Sequence, residues 1–193
     1  MFGDKFYKRL GDLEPWQQSV FALALAERMY PNYHLYAEST GKGNAIEFRA
    51  ALDSLWRYLT EKGSRVNLSS ILESFEVFIP DPTHEESYGA YPALDACVAL
   101  GCAYNSVICR VGEEAMDASH ASVGTVAGFI EMLEERDLSD EELYEHEYIE
   151  AELEFQVELL KQVAHERDSD RILAIRTFAA QGGVSNIGIS LEE

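Results

Sequence analysis

The stretch Val20-Phe-Ala-Leu-Ala-Leu-Ala26 decides the architecture that we expect for this chain. It is the longest unbroken apolar run in the sequence, yet it is well short of the roughly 20 residues that span a bilayer. Pro15 suits the first turn of a helix, and the helix that begins there is predicted to run to about Tyr30. Because this helix is apolar nearly all round, it should lie at the centre of the molecule.

Helices are also predicted on both sides of this central one. All five prolines lie in the first 92 residues, and the remainder is rich in Ala, Leu and Glu. That composition predicts long helices, because proline disrupts helix interiors whereas those residues favour them. Pro31 should end the central helix and open a short one that ends at Thr40. Further helices are predicted at residues 4–10, after Asn44 as far as Gly63, after Asn67 as far as Ile79, at 92–111, at 114–136, and from Ser139 to Gln181. Whether this last stretch is broken near Asp168 is left open.

Strand patterns are nearly absent from the chain. Alternating apolar residues occur only in the C-terminal tail, Val184 to Glu193, and residues 80–90 form the one long irregular segment. The sequence therefore predicts an all-α fold, a single-domain antiparallel bundle of seven to nine helices over residues 1–193, with a short extended C-terminal tail.

The two helices predicted at 92–111 and 114–136 carry small residues, among them Gly101 and Gly124. Glycine inside a helix costs about 0.5–1 kcal/mol relative to alanine, so a compensating interaction is expected. We expect these glycines to let the two helix backbones approach closely.

The charge balance excludes several classes of partner. With 15 basic and 35 acidic residues, the formal net charge is −20. Nucleic-acid recognition depends on clustered Lys and Arg, and anionic membrane surfaces repel an acidic chain, so neither partner is expected. The N-terminus lacks the apolar core of a signal peptide, and the three cysteines suit a reducing compartment. We therefore expect a cytoplasmic protein.

The acidic residues are unevenly distributed along the chain. Residues 98–193 carry a net charge of −15, against −5 for residues 1–97. Four glutamates of the acidic half recur at three- and four-residue spacing and so share one helical face: Glu147, Glu150, Glu154 and Glu158. This face is interpreted first as a solvated surface, with a docking site for a basic protein and a divalent-cation site as the alternatives. The opposite stripe should face the core and includes Gln156, which would then need a hydrogen-bond partner there.

A second candidate site lies in the irregular segment. Long loops often carry function, and His84, Tyr88 and Tyr91 would then be its binding side chains. The alternative is a surface linker without a binding role.

No catalytic residues, metal ligands or cofactors are predicted. None of the five histidines follows a Glu at i−3, as carboxylate-bridged di-iron bundles require, and Gly-x-Ser-x-Gly is absent. The favoured function is a non-catalytic interaction or regulatory module whose acidic C-terminal half contacts a basic protein. The alternative is a small-molecule or metal-dependent enzyme with its site in the bundle core. The oligomeric state is left open.

Four blocks of sequence together resemble the YjaG-like family, a bacterial family of unknown function. They are Glu27-Arg-Met-Tyr-Pro-Asn-Tyr33, Tyr91-Pro-Ala-Leu-Asp-Ala-Cys-Val-Ala-Leu100, Ser139-Asp-Glu-Glu-Leu143 and Ser185-Asn-Ile-Gly-Ile189. The resemblance spans nearly the whole chain. It implies a single, mostly helical cytoplasmic domain from a bacterium, and it brings no activity, cofactor or site residues with it.

Overall fold

The structure is a computed structural model that describes residues 3–85 and 87–191. Within these residues, apolar side chains at helical spacing pack the chain into nine α-helices. In chain order these are α1 (Asp4–Gly11), α2 (Pro15–Thr40), α3 (Ala45–Thr60), α4 (Leu68–Phe75), α5 (Ala90–Ile108), α6 (Glu114–Glu134), α7 (Asp140–Tyr144), α8 (Glu147–Val163) and α9 (Ser169–Ala180). Three 3₁₀ turns lie at Glu76–Phe78, Pro82–His84 and Gln181–Gly183. The predicted all-α bundle of seven to nine helices is confirmed.

Helix α2 is the centre of the bundle, as its composition predicts. Every side chain of the Val20–Ala26 run is 0% exposed. The helix packs most extensively against α5 and also contacts α3, α6, α8 and α9. A helix that is apolar all round can bury its whole surface only when neighbouring helices cover every side. The other helices are therefore arranged around it.

Pro31 does not end the central helix, contrary to the prediction. It lies inside α2 and is buried, and the helix continues unbroken to Thr40, where Gly41 terminates it with a φ of 66°. Proline at this position removes only the hydrogen bond to the carbonyl of Glu27. Because α2 is enclosed by other helices, tertiary packing outweighs the local cost of that lost bond.

The predicted capping residues begin their helices where expected. The side chain of Asn44 accepts a hydrogen bond from the Glu47 amide, and the side chain of Asn67 accepts one from Ser70. Ser139 forms a complete capping box with Glu142 at the start of α7. The long C-terminal helical stretch is broken near Asp168, a point that the sequence left open. It is also broken before α8, where the side chain of His146 caps the new helix. The His146 side chain accepts a hydrogen bond from the Tyr148 amide, and the Asp168 side chain accepts one from the Arg171 amide.

The C-terminal tail closes on itself. One antiparallel bridge joins Val184 to Ser190, and the Ser185 amide donates to the Ile189 carbonyl over 2.8 Å. Ile187 is buried in a small apolar cluster with side chains of α6 and α8. Glu192 and Glu193, which belong to the predicted tail, lie outside the described residues. Within the described residues, no helix is long and apolar enough to cross a membrane.

The prediction that Gly101 and Gly124 let two helix backbones approach closely is wrong. A Cβ atom added at either glycine would meet no heavy atom within 4 Å. Helices α5 and α6 do pack against each other, but these two glycines are not the point of contact. A close approach occurs instead at Gly43, where φ is +72° and an added Cβ would lie 2.8 Å from Tyr33 Oη.

Replacing glycine by alanine should therefore have opposite effects at these positions. Gly101→Ala and Gly124→Ala should each raise the free energy of unfolding by about 0.5–1 kcal/mol, because they restrict the unfolded chain without a clash. Gly43→Ala should lower it by about 1 kcal/mol or more, because alanine strains the left-handed backbone and collides with Tyr33. Urea unfolding measures all three. A loss of stability in Gly101→Ala would show that this glycine has a packing role after all.

Candidate functional site

The acidic face predicted from sequence is formed by α8. Apolar side chains hold one side of this helix against the bundle, among them Ile149, Phe155 and Leu159. Helical periodicity then directs the residues between them outward. All four predicted glutamates are exposed: Glu147, Glu150, Glu154 and Glu158.

A surface groove lies along this face, between α7 and α8 and next to the start of α1. Its volume is about 1000 Å³. Tyr144, Leu153 and Val157 give it an apolar floor, and the first and last of these are 45% and 37% exposed. Acidic side chains form its rim, with Lys161 at one end. The lining residues are Gly3, Tyr144, Glu145, Glu150, Leu153, Glu154, Val157, Glu158 and Lys161.

The rim keeps most of its negative charge. Lys161 pairs with Glu158 over 3.2 Å, which leaves Glu145, Glu150 and Glu154 without a salt bridge among the described residues. Glu147 is exposed at the first turn of α8 but does not line the groove. Three of the four predicted glutamates therefore belong to one concave surface, which we call the acidic groove.

Of the three residues of the predicted loop site, the two tyrosines are in ring contact and the histidine lies beside an aspartate. His84 is exposed and lies 3.7 Å from the Asp81 carboxylate. Tyr88 and Tyr91 lie together, with ring centroids 6.1 Å apart, and Tyr91 is 55% exposed. Of the segment's residues, Glu86 lies outside the described part of the chain.

The loop is anchored to the turn that follows α2. Lys42 Nζ contacts both carboxylate oxygens of Glu85 at 2.9 Å, and Tyr36 Oη donates to Oε1 of the same residue over 3.1 Å. Tyr33 Oη donates to the Phe78 carbonyl, two residues before the segment. These contacts, before the segment and at its middle, restrict how far it can move from the bundle.

Tyr88 and Asp95 form a partly buried pair beneath the loop. Burial, together with the negative charges of nearby Asp95 and Glu131, raises the pKa of Tyr88 to about 12. Burial also raises the pKa of the Asp95 carboxyl, although Thr125 Oγ1 donates to Oδ2 over 2.7 Å. Asp95 is therefore a carboxylate whose charged form is disfavoured by folding.

A buried polar network crosses the bundle beneath the acidic face. Glu152 lies on α8 among the exposed glutamates of the sequence, yet it is 0% exposed. Its carboxylate accepts hydrogen bonds from Arg28 Nε at 3.0 Å, from Ser122 Oγ at 2.6 Å and from Gln156 Nε2 at 2.8 Å. The predicted partner of Gln156 is thus found, and Ser119 Oγ donates to its Oε1 over 2.6 Å.

The same network reaches the C-terminal tail. Asn186 Nδ2 donates to the Ser122 carbonyl, and Asn32 Nδ2 donates to Asn186 Oδ1 over 3.0 Å. Asn32 Oδ1 is buried and has no hydrogen-bond partner among the described residues. The Arg28 guanidinium lies over the Phe155 ring, with its Cζ 3.9 Å from the ring centroid. This contact shields the ion pair between Arg28 and Glu152 from water. The network therefore ties α2, α6, α8 and the tail together.

A second ionic network lies on the other side of α2. Arg49 forms a bidentate pair with Glu27 at 2.6 and 2.7 Å, and Trp56 Nε1 donates to the same carboxylate over 2.7 Å. Asp53 contacts both Arg49 and Arg176. Arg49 and Asp53 are therefore half-buried in this network.

Sequence reasoning missed Glu152 as a buried residue, although a signal was available. Glu152 is three residues after Ile149 and four before Gln156, both of which were predicted to face the core. That spacing places all three on one side of the helix. Only the location of Arg28, 124 positions earlier in the chain, explains why a charge is tolerated there.

The two kinds of glutamate on α8 should respond differently to substitution. Glu152→Gln should lower the free energy of unfolding by roughly 3–5 kcal/mol, because it leaves the Arg28 charge buried without its counter-ion. Glu154→Gln, two residues later, should change it by less than about 0.5 kcal/mol. Thermal or urea unfolding of both variants gives the comparison. Equal effects would mean that Glu152 is hydrated in solution.

Asp95 should make stability depend on pH in the direction set by its raised pKa. Its protonated form is favoured by folding, so the stability it confers is full below the pKa of an unfolded aspartate and falls as pH rises through the folded pKa. Asp95→Asn should therefore be more stable than the wild type at pH 7, and the advantage should vanish in acid. Unfolding curves between pH 3 and pH 7, at about one-unit steps, measure this. A destabilised variant at pH 7 would contradict it.

No group of three or more His, Cys, Asp or Glu side chains that could hold a metal ion occurs among the described residues.

Comparison with known proteins identifies the relatives of this chain. It is 40% identical to the uncharacterized protein YjaG of Escherichia coli K12, with 100% of both chains covered, and 37% identical to an uncharacterized protein of Haemophilus influenzae over 97% of both. A crystal structure of a DUF416 family protein from Shewanella baltica matches 99% of this chain and 100% of its own, with a TM-score of 0.89 and 34% identity. The family described as protein of unknown function (DUF416) matches residues 5–190. The chain therefore belongs to the DUF416 family.

Proposed function

We propose that this protein is a non-catalytic, cytoplasmic interaction module whose acidic groove docks a basic segment of a partner protein. The observation that carries the proposal is the combination of an apolar floor with an acidic rim. Tyr144, Leu153 and Val157 offer apolar contact, while Glu150 and Glu154 stand beside them without salt bridges among the described residues.

A segment of partner chain that alternates Lys or Arg with apolar residues would complement this surface. Its apolar side chains would cover the groove floor, and its cations would meet the glutamates of the rim. The apolar contact supplies affinity, whereas the charges mainly raise the association rate and exclude acidic competitors. The net charge of −20 extends the attraction beyond the groove itself.

The cytoplasmic location in this proposal is supported by the cysteines. Cys97, Cys102 and Cys109 are all free thiols, and Cys109 is exposed. An exposed free thiol persists most readily in a reducing compartment.

A matched pair of double variants tests the docking proposal. Glu150→Gln with Glu154→Gln removes two charges from the groove, and Glu73→Gln with Glu76→Gln removes two exposed charges from the region of α4. Each protein is immobilised and exposed to bacterial lysate at about 0.1 M and 1 M salt, where the screening lengths are about 10 and 3 Å. We expect a basic protein that the wild type and the α4 variant retain at low salt, and that the groove variant loses.

Two results would contradict docking. If the wild type and both double variants retain the same lysate proteins at low salt, the groove is not the binding surface. If added Ca²⁺ raises the melting temperature of the wild type and not of the groove variant, the glutamates form a cation site instead. The groove variant should itself be as stable as the wild type or slightly more so, because repulsion between the glutamates falls.

A further inference from the structure

A second concave surface lies where the ends of four helices meet. The first turn of α2, the end of α3 with its following turn, the end of α5 and the start of α9 enclose a cleft of about 860 Å³. This volume is within the range of pockets that hold small organic molecules. The cleft is lined by Pro15, Trp16, Ser19, Tyr58, Leu59, Thr60, Glu61, Lys62, Gly63, Ser64, Ser106, Val107, Arg110, Arg167 and Ser169.

The charge of this cleft is opposite to that of the protein. Lys62, Arg110 and Arg167 line it, and Glu61 is the one acidic residue among the lining side chains. The chain has only 15 basic residues against 35 acidic ones. None of these three cations forms a salt bridge with any acidic side chain in the described residues, despite that excess of acid.

Each arginine keeps donors available for a ligand. Arg167 uses Nη2 to donate to the Leu59 carbonyl, and Arg110 uses Nε to donate to the Val107 carbonyl. These bonds orient the two guanidinium groups and leave their other N–H groups unbonded within the described residues. Arg110 also adopts a φ of 55°, a left-handed conformation that is costly for a residue with a side chain.

Aromatic and hydroxyl groups complete the walls of the cleft. The Arg167 guanidinium lies over the Trp16 ring with its Cζ 5.6 Å from the ring centroid, so a cation and an aromatic surface are adjacent. Tyr58 adds a second ring to the lining. Ser19 and Ser106 form a buried pair, with their Oγ atoms 2.8 Å apart. Flat organic groups pack well against such aromatic walls.

We propose that this cleft binds a phosphate monoester of a molecule that also contains a flat ring, of which a nucleoside monophosphate is a compact example. The three cations and one acid of the lining amount to a charge of +2, which matches the −1.5 to −2 that a phosphate monoester carries near neutral pH. Arginine and lysine are the side chains that bind phosphate oxygens best. The ring of the ligand packs on Trp16 and Tyr58.

Titration with adenosine monophosphate tests the site directly. Of the two tryptophans, Trp16 lines the cleft whereas Trp56 is buried elsewhere, so ligand binding should change Trp16 fluorescence in a saturable manner. A rise in melting temperature should accompany the change. Inorganic phosphate and adenosine, which each carry half of the recognised chemistry, should bind at least about ten-fold more weakly, a difference of roughly 1.4 kcal/mol.

Three variants separate binding from folding. Arg110→Gly removes a cation and relieves the left-handed backbone, so it should weaken binding about ten-fold or more without lowering the melting temperature. Lys62→Gln should also weaken binding. Arg9→Gln removes an exposed cation of α1 that lies outside the cleft, and it should leave binding unchanged.

Three results would overturn this proposal. The first is no saturable response of the wild type to millimolar adenosine monophosphate. The second is equal weakening by Arg9→Gln and Arg110→Gly, which would indicate general attraction to positive charge. The third is binding of inorganic phosphate as tight as that of the nucleotide, which would remove the role of the aromatic walls.

Discussion

The structure depends on the burial of two adjacent opposite charges at the middle of its central helix. Glu27 and Arg28 are 6% and 8% exposed on α2. Because consecutive residues on a helix point in different directions, one partner cannot satisfy both. Glu27 is bound by α3 through Arg49 and Trp56, and Arg28 is bound by α8 through Glu152. A buried charge without its partner is costly, so these contacts restrict which helices can lie on each side of α2.

The C-terminal tail is positioned by the same constraint. Glu152 is held by Ser122 of α6, and the backbone at Ser122 is bound by Asn186 of the tail. Asn186 in turn accepts from Asn32, one helical turn after Arg28. Asn32 and Asn186, which are 154 positions apart in the chain, thus meet in one buried network. Its formation requires that α2, α6, α8 and the tail pack together in a single arrangement.

The surface charges follow from this arrangement of the core. Because α8 turns Glu152 and Gln156 inward, its other glutamates face outward, and Glu150, Glu154 and Glu158 line the acidic groove. Three cations without salt bridges among the described residues line the cleft at the helix ends: Lys62, Arg110 and Arg167. The acidic groove and this cleft are therefore concave surfaces of opposite charge.

Local signals in the sequence predicted much of the fold. Capping side chains such as Asn44, Asn67 and Ser139 act within a few residues, so their effect can be recognised without tertiary information. Pro31 shows where such signals fail, since a buried helix continues through it. Gly101 and Gly124 show the same limit, because spacing along a helix does not reveal whether a neighbour approaches.

The sequence by itself determined the helical class, the central place of α2 and the exposure of Glu147, Glu150, Glu154 and Glu158. Those properties follow from hydrophobic periodicity and from the cost of burying charge, which both act along one helix. Only the tertiary structure decided that Glu152 is buried against Arg28 and that Trp16, Arg110 and Arg167 share a cleft. These residues are far apart in the chain, and the packing of helices around α2, rather than any local pattern, brings them together.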